Sequence, residues 1–248
     1  MNLLVDIGNT RIKWRCVSFT GMNACSGDLL SNVLTLRSLE EALSCVGFEK
    51  IYLSNVGHDS VVTVFKDYAE KNNLKLHLLE AQKSMSGLSF AYDNIGRLGV
   101  DRCLAMIGAF NGVGVLVIDA GSAITADFIG GQGEHYGGYI LPGYEMSRSV
   151  LLGKTAKVGV LADLGGVMPG QDTESCVSNG FTLLYSSLLE RLLNMAQSMG
   201  IGRYVVTGGD AKMFKMLGIE NLEYYENLVL DGLQKYSSSD EGMSGVGL

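Results

Sequence analysis

The sequence predicts an α/β protein made of two duplicated halves, each opening on an apolar strand that runs into an Asp-Gly turn. Three observations carry this. The segment Leu3-Leu4-Val5-Asp6-Ile7-Gly8-Asn9-Thr10 is echoed by Leu116-Val117-Ile118-Asp119-Ala120-Gly121-Ser122-Ala123. After each copy, short apolar strand patterns alternate with segments of helical apolar spacing. The chain of 248 residues, 47% hydrophobic and 18% charged, has the composition of a packed protein, long enough for one large domain or two half-size ones.

The elements follow in order. Residues 2–6 and 12–19 read as strands around the Gly8 turn, 37–46 as a helix, 50–54 as a strand, 60–71 as a helix and 74–79 as a strand. A Gly and Ser loop at 84–89 precedes a helix over 100–110. The pattern then restarts, with strands at 114–119, 124–129 and 137–141, the last after a Gly-rich turn at 130–133. Residues 144–152 are helical, 174–199 form a long helix with Gly180 as a point of interruption, 204–207 a strand, and 211–216 and 222–236 helices. This places the halves at 1–112 and 113–236, followed by a Ser- and Gly-rich mobile tail over 237–248.

Charge and cysteine usage narrow the function classes. A net charge of −7 and a pI near 5.0 give no electrostatic footprint for nucleic acid, so none is expected as a partner. An anionic ligand must then be held locally, by backbone donors, a few Arg or Lys side chains and a metal. Cys16, Cys25, Cys45, Cys103 and Cys176 are scattered and contain no C-x-x-C pair, which suggests neither a zinc site nor a disulfide framework and favours a reducing cytoplasm. No basic leader precedes the first apolar stretch and no apolar run approaches the roughly 18 residues of a membrane span, so no membrane association is expected.

An Asp-x-Gly turn after a strand can hold phosphate and metal, because backbone N–H groups face the anion while the carboxylate faces the cation or its waters. A single copy is commonly only a tight turn with a local Asp bond. Two copies, each followed by hydroxyl residues and a second strand, suit a pair of phosphate-gripping hairpins. Gly153-Lys154-Thr155 imitates a Walker A loop but has Arg148 where the first glycine must stand, and its preceding segment reads as a helix. Gly99-Val100-Asp101-Arg102 opens a helix and sets a carboxylate in the first turn. Asp101 there either complements the helix dipole or accepts a proton from a substrate hydroxyl, with Arg102 orienting polar atoms. Gly137-Gly138-Tyr139-Ile140-Leu141-Pro142-Gly143 and Thr207-Gly208-Gly209-Asp210 are glycine-rich junctions, weak signals taken singly. His58, His77 and His135 share no ligand spacing, and Trp14 and the Met residues read as core.

These motifs, in this order from residue 2 to about 235, resemble the type III pantothenate kinases. The resemblance implies the actin-like ATPase superfold, also that of hexokinase: two ribonuclease-H-like halves with a nucleotide cleft between them. By position it makes Asp6, Ile7, Gly8, Asn9, Thr10, Arg11, Ile12 and Lys13 the turn for ATP phosphates and Mg²⁺, with Asp6 acting on the metal through water. It makes Ser122 a second ATP contact and Asp119 the ligand of a monovalent cation, K⁺ or NH₄⁺. It makes Asp101 the catalytic base, and Tyr92, Gly99, Val100, Arg102 and Thr173 pantothenate contacts. Ser122 stands where the family usually has Thr, and Gln171 where a Lys near Thr173 is common. The resemblance also implies a homodimer whose partner completes the substrate site. Two other readings compete with pantothenate phosphorylation in coenzyme A synthesis: another small-molecule kinase of the superfold, and a non-catalytic ligand sensor. The Gly99–Arg102 and Gly137–Gly143 segments argue against the first, and retention of Asp6, Asp101 and Asp119 against the second.

Overall fold

The computed structural model describes residues 1–18, 21–44, 47–154 and 164–239. Among these the chain forms two compact units, Met1–Ala109 with Asn227–Leu248, and Phe110–Glu226. In the first, β1 (Asn2–Ile7), β2 (Arg11–Val17), β3 (Asn23–Leu30), β4 (Lys50–Asn55) and β5 (Lys75–Leu78) make a sheet in the order β3-β2-β1-β4-β5. The first three run antiparallel, and β4 and β5 are parallel to β1. Alternation along β1 turns Leu3, Val5 and Ile7 into a core under α1 (Leu36–Leu43) and α2 (Asp59–Lys71), which contribute Leu39, Leu43, Val61 and Phe65. A reciprocal capping box between Thr35 and Ser38 starts α1. The apolar helix α3 (Val100–Ala109), buried at Val100, Cys103, Leu104, Met106 and Ile107, closes this stretch of chain.

The segment expected as a loop at 84–89 is a small hairpin, β6 (Ser84–Met85) and β7 (Leu88–Ser89), because Met85 and Leu88 are both buried. Strand β3 carries no strand signal. It is a polar edge strand, and its Gly27 lies directly across from Trp14, where a Cβ would come within 2.7 Å of the indole.

The second unit repeats the plan. Strands β8 (Val115–Ala120), β9 (Ala123–Ile129), β10 (His135–Pro142), β11 (Arg203–Thr207) and β12 (Leu222–Tyr224) assemble in the order β10-β9-β8-β11-β12, with the same pattern of directions. Helices α4 (Tyr144–Lys154), α5 (Thr173–Ser198) and α6 (Ala211–Met216) cover the face made by Leu116, Ile118, Ile124, Ala126 and Phe128. Helix α5 runs unbroken through Gly180 for 26 residues, started by an Asp172–Ser175 capping box. Both Gly153 and Lys154 lie inside α4, so the Walker-like tripeptide has no loop to form; its Thr155 lies outside the described residues.

The helix expected over 222–236 is two elements. Residues Leu222–Tyr224 add the edge strand β12, and α7 (Leu228–Ser237) packs on α3 of the first unit, not in the second half where the sequence placed it. The crossing is close because Gly108 and Gly232 face backbone: a Cβ on Gly232 would collide with the Leu104 carbonyl, and one on Gly108 with that of Leu228. Lys235 Nζ donates to the Ile107 and Gly108 carbonyls at 3.0 and 2.9 Å, capping the C-terminus of α3, and Arg15 pairs with Asp231 at 2.6 Å. Of the expected tail, 240–248 lies outside the described residues, while Ser237 is buried at the end of α7. Not every methionine is core: Met22 and Met168 are each 71% exposed, whereas Trp14 is buried.

Candidate active site

In the first unit, β1 delivers Asp6 opposite Lys13 on β2 and Ser54 on β4, and partners in register project to one face of the sheet. Ile7 and Ile12 on either side of the turn are fully buried and fix the strands, while Asn9, Thr10 and Arg11 are exposed. Gly8 N–H donates to Arg11 O at 3.0 Å, closing a turn of three residues. Ser31 braces it twice, donating from Oγ to the Gly8 carbonyl at 2.9 Å and from N–H to the Thr10 carbonyl at 3.1 Å. Arg11 forms an ion pair with Asp28, which lies opposite Lys13 on β3. Val56 N–H donates to Ile7 O at 3.1 Å, and Gly57 then passes so close that a Cβ would lie 2.7 Å from the Gly8 carbonyl.

The same exit from β4 reaches the start of α3. A Cβ on Gly99 would touch Val56 and would overlap the Asp101 carboxylate, so the glycine is what leaves Asp101 its room. Asp101 Oδ1 accepts the Arg102 N–H at 2.8 Å, which holds the carboxylate at the helix mouth. The Arg102 guanidinium, largely buried, donates from Nη1 to the Tyr92 hydroxyl at 2.7 Å and stands 5.6 Å from that ring's centroid. Lys83 Nζ donates to the Tyr92 carbonyl. Thus Tyr92, Gly99, Val100, Asp101 and Arg102 form one cluster, linked through Val56 and Gly57 to the Gly8 turn.

In the second unit Asp119 is the penultimate residue of β8, opposite Thr125 on β9 and Thr207 on β11, so one carboxylate and two hydroxyls share a face. Here Gly121 N–H donates to Ala123 O at 3.0 Å, and the turn is one residue shorter than its counterpart: Ile7 pairs with Ile12, but Ala120 pairs with Ile124. Ser122 is exposed at its tip. Gly208, at φ +97°, crosses where a Cβ would strike Asp119 and the Ala120 carbonyl, and Asp210 N–H donates to that carbonyl at 2.8 Å. The Asp210 carboxylate accepts the Glu145 N–H at the start of α4. Thr173 is the exposed first residue of α5.

A family model for type III pantothenate kinase matches residues 2–195. The chain belongs to the type III pantothenate kinase family. A type III pantothenate kinase of Marinobacter nauticus is 32% identical over 247 residues, spanning 96% of this chain and 99% of that one. A Campylobacter jejuni structure described as a Baf family transcriptional activator superposes with a TM-score of 0.64 at 22% identity over 95% and 96% of the two chains. A Sinorhizobium meliloti protein described as a 2-dehydro-3-deoxygalactonokinase does so with a TM-score of 0.55 at 9% identity, over 99% of this chain and all of the other. These likenesses and the twice-repeated sheet order establish the actin-like fold of two ribonuclease-H-like halves.

Family residues are only part of the two turns. Ser31, Ser54, Val56 and Gly57 brace or flank the first, and Thr125, Thr207 and Asp210 the second. Thr207 and Asp210 lie in a glycine-rich junction that the sequence flagged, but no motif marks Ser31 or Ser54. His135, which shares no ligand spacing with the other histidines, is buried against Asp127, with Nε2 3.0 Å from Oδ1. No group of three or more His, Cys, Asp or Glu suited to a metal occurs among the described residues. The Asp6 carboxylate beside the first turn is the kind of donor by which Mg²⁺ is usually held, together with phosphate oxygens and water.

Proposed function

We propose that this chain transfers the γ-phosphoryl group of ATP to the primary hydroxyl of pantothenate, giving 4′-phosphopantothenate in the first step of coenzyme A biosynthesis. The observation that carries the reading is membership of the type III pantothenate kinase family, joined to a carboxylate at the mouth of α3 beside a buried Arg–Tyr pair. Phosphoryl transfer asks for alignment and charge neutralisation more than covalent chemistry from the protein.

The Gly8–Thr10 backbone, Arg11 and Lys13 hold the phosphates, and Asp6 with Ser54 beside it would hold Mg²⁺ through water, the metal supplying neutralisation of phosphate charge. Ile7 and Ile12 keep the turn rigid, and Ser122 supplies a second nucleotide contact. Asp101 takes the proton of the attacking hydroxyl. Arg102 and Tyr92 hold polar atoms of pantothenate, Gly99 and Val100 shape the wall beside Asp101, and Thr173 adds a hydroxyl. Asp119, with the Thr125 and Thr207 hydroxyls on its face, offers the oxygen donors that a monovalent cation, K⁺ or NH₄⁺, needs.

We further infer a homodimer acting in the cytoplasm, with no nucleic acid among its partners. The dimer is supported by exposed Met146 and Val150 on α4 and Leu183 and Leu184 on α5. The localisation is supported by the scattered cysteines, which include no C-x-x-C pair. The deciding experiment measures ATP consumption by the purified chain with and without pantothenate. Consumption that does not depend on pantothenate, or its absence in both, would overturn the reading.

A further inference from the structure

Cys16 and Cys25 are far from a C-x-x-C pair in sequence, yet the β2–β3 hairpin sets them directly opposite each other. Directly opposed residues on antiparallel strands have Cα atoms about 4.5 or 5.5 Å apart, according to the pair type. Both separations fall within the roughly 4.4–6.8 Å that a disulfide spans. The side chains of an opposed pair also leave the sheet on one face, which sets the two thiols side by side. A register shift falls immediately after Cys16, a local irregularity that raises twist and gives the pair freedom to adjust.

The two sulfurs differ in access. Cys16 is fully buried in the core beneath α1 and α2, whereas Cys25 is half-buried on the edge strand and packs against that core. Burial first, and then the neighbouring Cys25, push the Cys16 thiol up to about 12, so Cys16 is the protonated, sheltered member of the pair. Cys25 is therefore the sulfur that a reagent meets. Cys103 is buried and Cys176 is exposed on α5.

We propose that Cys16 and Cys25 form a dithiol site for small-molecule disulfides, by which the β2–β3 hairpin is reversibly closed into a cross-strand disulfide. The Cys25 thiolate attacks one sulfur of a small disulfide, forming a mixed disulfide and releasing one small thiol. The Cys16 sulfur then attacks the Cys25 sulfur and breaks the mixed bond, and the Cys16 proton passes to the departing small thiolate, which leaves as the second small thiol. One small disulfide is reduced by two electrons to two thiols, and the two cysteines are oxidised by two electrons to one bond. The inference concerns a hairpin of the first unit and does not depend on which reaction the chain catalyses.

The test incubates the full native chain with oxidised glutathione, quenches with acid and digests without reductant. Trypsin cleavage after Arg15 and Arg37 releases both cysteines on one peptide, 16–37. The expected result is that this peptide loses two hydrogens, that cleavage at Phe19 leaves its halves joined, and that a dithiol reductant restores it. In C16S the reaction is expected to stop at Cys25 carrying one glutathione. The proposal is overturned if wild-type Cys25 accumulates as the glutathione adduct with no link to Cys16. It is equally overturned if both cysteines stay reduced while exposed Cys176 is modified. Because the readout is mass, its failure is distinct from any failure of the kinase assay.

Discussion

Asp101 carries the sharpest residue-level expectation. Asp101→Asn keeps an acceptor for the Arg102 N–H and should bind ATP and pantothenate normally while turning over ~10²-fold more slowly, the usual loss with a general base. Calorimetric titration beside steady-state rates checks this, and near-normal turnover would remove Asp101 from the chemistry. Asp119 with the two threonines predicts a rate that rises with K⁺ or NH₄⁺ but little with Na⁺, and Asp119→Ala should abolish both that dependence and most activity. Titration with the three chlorides at constant ionic strength decides it; equal rates in all three would make Asp119 structural. Asp210 gives a pH test. Burial raises its pKa; the Glu145 N–H bond opposes this, and the Glu145 charge reinforces it. The folded state thus holds this proton more tightly than the unfolded chain, so the group favours folding below its unfolded pKa and that contribution is lost as pH rises through the folded value. Asp210→Asn should therefore melt higher than wild type at neutral pH and lose the advantage below about pH 4. A lower neutral midpoint would mean that the bond to Glu145 outweighs burial.

Elements differ in how plainly the sequence announces them. β1 and β8 are apolar and end on Asp-x-Gly, and α2 and α6 begin and end within a residue of where apolar spacing puts them. Strand β3 and the β6–β7 hairpin were illegible because their pairing partners, not their own residues, make them strands. β12 was read as the start of a helix for the same reason: three residues gain ladder bonds only beside β11. Close packing also lives at this scale. Gly57→Ala would push a methyl into the Gly8 carbonyl and should raise the KM for ATP about tenfold, equivalent to ~1.4 kcal/mol of binding. Gly232→Ala, at the α3–α7 crossing, should instead cost ~1–3 kcal/mol of stability and leave that KM alone. Urea unfolding and nucleotide titration of both variants separate the cases, and the reverse pattern would refute the placement of the phosphate turn.

At the scale of the whole molecule, the exposed apolar residues of the second unit bear on assembly. Val150 is 57% exposed and Leu184 is 54% exposed, on helices tied together by the Tyr185–Ser147 hydrogen bond at 3.1 Å and the Tyr144–Phe181 edge contact. The expected species in sedimentation is twice the 26.6 kDa chain, and Leu184→Glu should shift it toward monomer with pantothenate binding lost before ATP binding. A monomeric wild type would withdraw the dimer and the shared site with it.

The sequence by itself determined the duplicated strand-and-turn plan and the family, and it singled out Asp6, Asp101 and Asp119 as candidates, because those features are local: an apolar run, an acid and a glycine within a few residues. Tertiary structure decided what depends on pairing across the chain. It set Ser31 and Gly57 against the first turn, made the second turn one residue shorter, returned α7 to the first unit, and brought Cys16 to Cys25. None of these can be read along the chain, since each is fixed by strand register or by the space a neighbouring backbone leaves.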